Sequence, residues 1–342
     1  MVEVEAKRGG PTISEMTGSI DWLNPRHLEH YKHSPVSGGY PAAHLVAGMA
    51  HARLSYKTEP EIQKELAPSG WVADLHSPGA GAQAYLALHA STRTAAMAFR
   101  GSQGREFWRD WIRTDMRAGV LRKWKDKDSD LAGPRRQRGA SGSVITDCLP
   151  KGVRCGWGFQ GPVNKLWPVI MQAAELQARG WKLFLFGHSM GADLAHMAAA
   201  RLIYTESVYP DLVIGYEPAK LWNRAGQAWQ WQLTQGVAHG LSSYTFMNTS
   251  RGYQDLITDM PPWAKHGGVL LVAGEDTVYT GKNAVAKYNL NKPPYRHNLP
   301  GWRPVSRLLT RLWKRGRGRV GAHLGRGVMA KLERLYLEGS LV

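Results

Sequence analysis

The sequence predicts an α/β protein built on an open, mostly parallel sheet, and three observations carry that expectation. Residues 160 to 204 run through a helical pattern, a short apolar run and a second helical pattern. Three further apolar runs follow, at Leu212–Gly215, Tyr244–Asn248 and Gly268–Ala273, spaced widely enough for crossover helices between them. The chain is 342 residues long and 43% hydrophobic, enough for one large α/β core. No internal repeat suggests a solenoid or propeller.

Taken in order, residues 1–20 are polar and rich in Gly, Ser and Thr, and read as a loosely ordered arm. From Tyr40 the pattern turns helical, with Ala43, Leu45, Val46, Met49, Ala50 and Leu54 on one face at three- and four-residue steps. After Trp71, Ala84–His89 and Thr94–Phe99 read as strands, the second leading into Arg100-Gly101-Ser102. Then comes a Trp-rich stretch, followed by 117–153, which mixes basic residues with Gly, Ser and Pro and has little periodicity; it reads as an insertion. Val163–Arg179 is helical and stops at Gly180. Lys182–Phe186 has the unbroken apolarity of a strand buried on both faces, and Met190–Tyr204 is an Ala- and Leu-rich helix. The last stretch, Arg303–Leu337, is dominated by Arg and Lys, with Leu308, Leu309, Leu312 and Trp313 at helical spacing. Such a helix suits an anionic membrane surface; the alternative is a helix whose apolar face covers the core. The expected organisation is an arm over 1–20, a main domain over 21–302 interrupted at about 117–153, and a basic amphipathic segment over 303–342.

Composition removes several classes. Charged residues make up 21%, too few for a disordered chain. Two cysteines, Cys148 and Cys155, cannot staple a disulfide-rich miniprotein, although they flank the end of the insertion closely enough to be bridged. Neither a run of about 18 apolar residues nor an apolar leader core is present, so the expected location is cytoplasmic, or outside by a signal-independent route. Lys and Arg number 44 against 27 Asp and Glu, a net +17 that favours an anionic partner. No groove-reading or base-stacking motif accompanies that charge, so nucleic acid is not the expected partner.

The chemistry centres on Gly187-His188-Ser189-Met190-Gly191, set between the central strand and the helix after it. A hydroxyl nucleophile must stand clear of the backbone where a base and a substrate can both reach it. A strained strand-to-helix turn does this, with glycines either side because a Cβ there would strike the neighbouring strand or helix. The same turn aims a helix N-terminus at the developing oxyanion. The bare pattern is common by chance; its setting between an apolar strand and a clear helix gives it weight. Ser189 is the candidate nucleophile, the alternative being an ordinary N-cap serine.

Here the chain resembles the class 3 lipases, a family of α/β-hydrolase serine esterases. The resemblance rests on ordered blocks spanning about residues 45–300: Leu54-Ser55-Tyr56, Ala98-Phe99-Arg100-Gly101-Ser102, Asp110-Trp111 with Asp115, Gly158-Phe159, the Leu185–Gly191 turn, and Asp255-Leu256-Ile257-Thr258-Asp259-Met260-Pro261-Pro262. It implies an α/β-hydrolase fold with a cap or lid insertion. It also implies a Ser–Asp–His triad in that chain order. Ser102 matches the family's oxyanion-hole hydroxyl residue, with the Met190 amide as the second donor. Asp255 matches the acid. Asp259 falls where the family places no catalytic group, and Asp193, in the first turn of the nucleophile helix, suits the helix dipole.

For the base, His297 lies in a loop-like stretch after the last strand candidate and resembles the family's late histidine. His323 is its rival, and His266, which resembles a structural histidine, is the remaining candidate. His188 is expected to pack beside the nucleophile. Ala192-Asp193 and Gly156 depart from the family's pattern, as does the long basic stretch 117–153; that stretch, or 108–116 before it, is a lid candidate or a surface loop.

The implied activity is hydrolysis of carboxylic esters of lipids, acylglycerols or similar, or of soluble short esters, through an acyl-enzyme on Ser189, with no metal or cofactor. Implied partners are a lipid or small-ester substrate and an anionic membrane surface; the oligomeric state is open. Two other readings stand beside it: a phospholipase A-type toxin or effector acting on anionic membranes, and a catalytically inactive lipid- or protein-binding relative.

Overall fold

The structure is a computed structural model that describes residues 20–29, 42–79, 82–101, 121–124, 148–235, 242–248, 258, 264–273, 278–280, 284 and 325–337. Helix α1 (Arg26–Glu29) is one turn; α2 (Ala42–Leu54) and α3 (Glu59–Leu66) follow. Strands β1 (Val72–Gly79), β2 (Ala82–His89) and β3 (Thr94–Phe99) form a meander. Two short strands, β4 (Leu121–Arg122) and β5 (Cys155–Gly156), pair with each other and lead into α4 (Trp157–Ala178). Then come β6 (Lys182–His188), α5 (Met190–Arg201), β7 (Leu212–Tyr216) and α6 (Arg224–Gln235). Strands β8 (Ser242–Asn248), β9 (Val269–Ala273) and β10 (Val278–Thr280) precede the last described helix, α7 (Gly325–Leu337).

Eight strands make one sheet in the order β1-β2-β3-β6-β7-β8-β9-β10. The five from β3 to β9 are mutually parallel, and the edges are closed by antiparallel β1, β2 and β10. Strand β6 lies inside the sheet, which is why its sequence is apolar without alternation. Its side chains divide between two cores: Leu183 and Leu185 pack with α4 and α5, while Phe184 and Phe186 pack with α2 and α7. Burying each of these side chains is worth about 1.5–3 kcal/mol. Helix α2 approaches closely because Gly48 carries no Cβ, which would fall 2.6 Å from both a Phe186 ring carbon and the Tyr216 hydroxyl. That hydroxyl donates to the Leu45 carbonyl at 2.6 Å. A mostly parallel sheet with helices on both faces, and a tight strand-to-helix turn after a central strand, is the α/β-hydrolase fold.

Three sequence expectations change. Helix α4 starts six residues earlier than predicted, because it continues through Pro162 and Pro168 rather than starting after the first of them; its end, at Gly180 with φ 84°, is as expected. The segment read as an insertion over 117–153 has structured ends. Strand β4 pairs with β5, and Trp124, Cys148, Leu149 and Val153 are buried in the α4–α5 core. Arg201 holds this base, stacking 3.9 Å from the Trp167 ring and 5.3 Å from the Trp124 ring. Asn164 Oδ1 accepts from both Arg201 (2.7 Å) and the Trp124 indole (3.1 Å). Only 125–147 of that segment, with 117–120 before it, lies outside the described residues.

Within 303–342, helix α7 turns Val328, Met329, Leu332 and Leu335 into the core shared with α2. Leu308, Leu309, Leu312 and Trp313 lie outside the described residues. The third change is at Cys148 and Cys155, which are buried thiols not bridged by a disulfide, and burial pushes the Cys155 thiol up to about 12. Among the described residues no helix is long and apolar enough to cross a membrane.

Candidate active site

Ser189 joins β6 to α5 with φ 58° and ψ −131°, a left-handed backbone that a β-carbon-bearing residue adopts only under constraint. Its surroundings supply the constraint. Its amide donates to the Tyr216 carbonyl at the end of β7 (2.8 Å), and its carbonyl accepts from Ala192 (2.9 Å). A Cβ on Gly187 would fall 2.1 Å from the Gly191 carbonyl oxygen, and one on Gly191 would fall 2.1 Å from that of Phe99. The flanking glycines are therefore required by backbone, not by side chains that could move aside. Met190, directly after Ser189, is the first residue of α5.

The Arg100-Gly101 turn lies against this corner. A Cβ on Gly101 would meet the Tyr56 hydroxyl at 2.3 Å, the His188 carbonyl at 2.5 Å and Ser189 Cβ at 3.1 Å. Tyr56 and His188 are joined through the phenol oxygen and Nδ1 at 3.0 Å, and the Gly101 amide donates to the same phenol. Burial raises the Tyr56 pKa well above its ordinary value, so the phenol stays protonated. Arg100 is fixed in turn: its amide donates to the Gln83 carbonyl (2.9 Å) and its guanidinium to Gln83 Oε1 (2.6 Å). The Gln83 side-chain amide donates to the Ser55 carbonyl at 3.0 Å. The Ser55-Tyr56 and Arg100-Gly101 blocks, 44 residues apart for Tyr56 and Arg100, thus share one hydrogen-bonded belt. Gln83, which completes it, gave no signal in the sequence beyond its place in an otherwise apolar strand.

Two histidines near the sheet make defined hydrogen bonds. His196 on α5 accepts at Nδ1 from Ser243 (3.2 Å) and donates from Nε2 to Thr245 (3.3 Å), since Thr245 itself donates to the Gly267 carbonyl (2.7 Å). Burial lowers its pKa to about 4, so it stays neutral. His266 donates from Nε2 to the Thr258 carbonyl at 2.8 Å. Asp193 is buried and accepts from the Ala219 amide at 3.2 Å, fastening helix α5 to the turn after β7.

One carboxylate escaped the sequence reading. Glu217 follows Tyr216 directly, is fully buried, and has φ 52°. Its amide donates to the Phe246 carbonyl (2.9 Å), and its Oε1 accepts from the amide of Asn248, the last residue of β8. The only hint in the sequence is an acidic residue abutting the apolar run Leu-Val-Ile-Gly-Tyr.

Of the predicted site residues, Ser189 and Met190 stand at the corner the sequence assigned to them. Ser102, Asp255, His297 and the rival His323 lie outside the described residues; Ser102 directly follows Gly101, and Asp255 comes seven residues after Asn248.

No family model matches the chain, and no curated protein does. Solved structures that are similar to it include lipase II from Rhizopus niveus, at 15% identity and TM-score 0.47 over 70% of this chain and 82% of that one. Lip2 lipase from Yarrowia lipolytica aligns at 16% identity and TM-score 0.48, over 69% and 81%. A triacylglycerol lipase from Penicillium expansum aligns at 15% and 0.45, over 72% and 87%.

Proposed function

We propose that the protein is a serine ester hydrolase that cleaves carboxylic esters with an apolar acyl chain through an acyl-enzyme on Ser189. The observation that carries this reading is the backbone of Ser189, held left-handed between two glycines that only a β-carbon-free residue can occupy. An ordinary N-cap serine has extended backbone and needs no such flanks. Strain of this kind persists only where the surrounding structure enforces it.

In the proposed reaction His297, oriented by Asp255, takes the Ser189 proton as the serine oxygen attacks the acyl carbon. The amides of Ser102 and Met190 donate to the tetrahedral oxyanion, together with the Ser102 hydroxyl. The histidine then protonates the departing alkoxide. Water, deprotonated by the same histidine, attacks the acyl-enzyme and frees the acid and Ser189. The scheme uses no metal or cofactor.

A series of p-nitrophenyl esters of increasing chain length, run on wild type and Ser189→Ala, tests it. Turnover by the wild type and a loss of at least about a thousand-fold in the variant is the expected result. Undiminished turnover in the variant refutes the mechanism, and an intact wild type inert towards every ester favours a binding role.

A further inference from the structure

We propose that Glu217 is a positioning residue for this reaction: by holding the end of β8, it fixes where the segment bearing the catalytic acid leaves the sheet. The inference rests on the ester-hydrolase reading above and on three hydrogen bonds across the ends of adjacent strands. The Tyr216 carbonyl takes the Ser189 amide on one side, the Glu217 amide reaches the Phe246 carbonyl on the other, and Glu217 Oε1 takes the Asn248 amide beyond it. A single dipeptide therefore joins the nucleophile to the last residue of β8, after which Asp255 is seven residues away in sequence.

The choice of residue is costly in two independent ways, and neither is needed for a strand end as such. A glutamate is held at φ 52°, in the region that favours glycine and, after it, asparagine and aspartate. Its carboxylate is also fully buried, which requires compensating donors. At the start of β6 the Leu183 amide is likewise taken by an acidic side chain, Asp211 beside β7, at 2.7 Å. At β8 the ladder ends in the same way, on an oxygen of the Glu217 side chain, but here the residue that supplies it is held in a left-handed backbone. A triad tolerates little error in where its acid stands, and displacements of about 1 Å can cost about a hundred-fold in rate. An anchor of this kind, far from the substrate, is therefore expected to be felt in kcat rather than in substrate affinity.

Three variants assayed with p-nitrophenyl butyrate alongside Ser189→Ala test the proposal. Glu217→Gln keeps an oxygen that can accept the Asn248 amide. Glu217→Asp keeps the carboxyl group and tolerates the left-handed backbone but falls one methylene short; Glu217→Ala removes the acceptor. The expected result is a kcat at least about ten-fold lower for Asp and Ala, with KM within about two-fold of wild type and Gln restored to within about three-fold. Melting curves confirm that each variant is folded at the assay temperature. Should Ala fail to fold, the Asp and Gln pair still decides the matter. Wild-type kcat in folded Glu217→Asp, or a Gln variant as impaired as Asp, overturns the positioning role. A wild type no more active than Ser189→Ala instead overturns the ester-hydrolase reading and this inference with it.

Discussion

The phenol oxygen of Tyr56 lies 3.0 Å from Nδ1 of His188, across 132 residues of chain, and joins the helix α2 terminus to the turn that carries Ser189. Because the Gly101 amide donates to the same oxygen, one hydroxyl sets the spacing between the two turns that frame the site. Tyr56→Phe preserves the ring and removes only that oxygen. Stranding buried polar partners costs about 1–3 kcal/mol. The expected outcome is a fall in kcat of about ten-fold, from a displaced oxyanion turn, together with a lower melting temperature. Steady-state kinetics on a short ester and a thermal melt check both.

The glycines around the corner differ sharply in what a methyl group would meet. Gly187→Ala and Gly191→Ala each place a carbon 2.1 Å from a backbone oxygen, and are expected to destabilise by at least about 3 kcal/mol and abolish activity. Gly161, inside α4, has open space where its Cβ would stand, and Gly161→Ala is expected to stabilise by about 0.5–1 kcal/mol. Urea unfolding of the three variants measures the contrast.

Glu333 on α7 gives the fold a pH dependence. Burial is the main cause that raises its carboxyl pKa to about 7, against opposing contributions from Arg53 and the Trp22 indole. Since the folded state then holds a proton more tightly than the unfolded chain, stability is lost as pH rises from about 4.5 to 7 and is level above that. Glu333→Gln mimics the protonated form. It is expected to melt with the wild type at pH 4.5 and at least about 2 °C above it at pH 8. Scanning calorimetry at the two pH values decides this.

Much of the fold was legible because the signals are local. The unalternating Leu-Phe-Leu-Phe of β6 marked a strand buried on both faces, and the Gly-x-Ser-x-Gly block announced its own backbone. What escaped depends on partners distant in sequence. Leu121-Arg122 is a strand only because Cys155-Gly156 pairs with it, and Trp124 reads as part of a basic loop until Arg201 and Asn164 are seen to hold it. The α7 helix shows the same limit, since amphipathicity says that a face is covered but not by what. Strand β1 went unread because its half-exposed sequence, with His76, Ser77 and Pro78, lacks apolar alternation. Glu217 was missed for a related reason: a lone acidic residue becomes meaningful only once the three strand ends around it are known.

The account stands on Ser189 as a nucleophile, and covalent labelling reads that most directly. Wild type, Ser189→Ala and heat-denatured wild type are treated with an alkyl fluorophosphonate and analysed by intact-mass and peptide mass spectrometry. The account predicts one adduct per folded chain, localised to Ser189, and none in the other two samples. An unmodified Ser189 in folded protein that turns over esters, or an adduct that persists in Ser189→Ala, would contradict it.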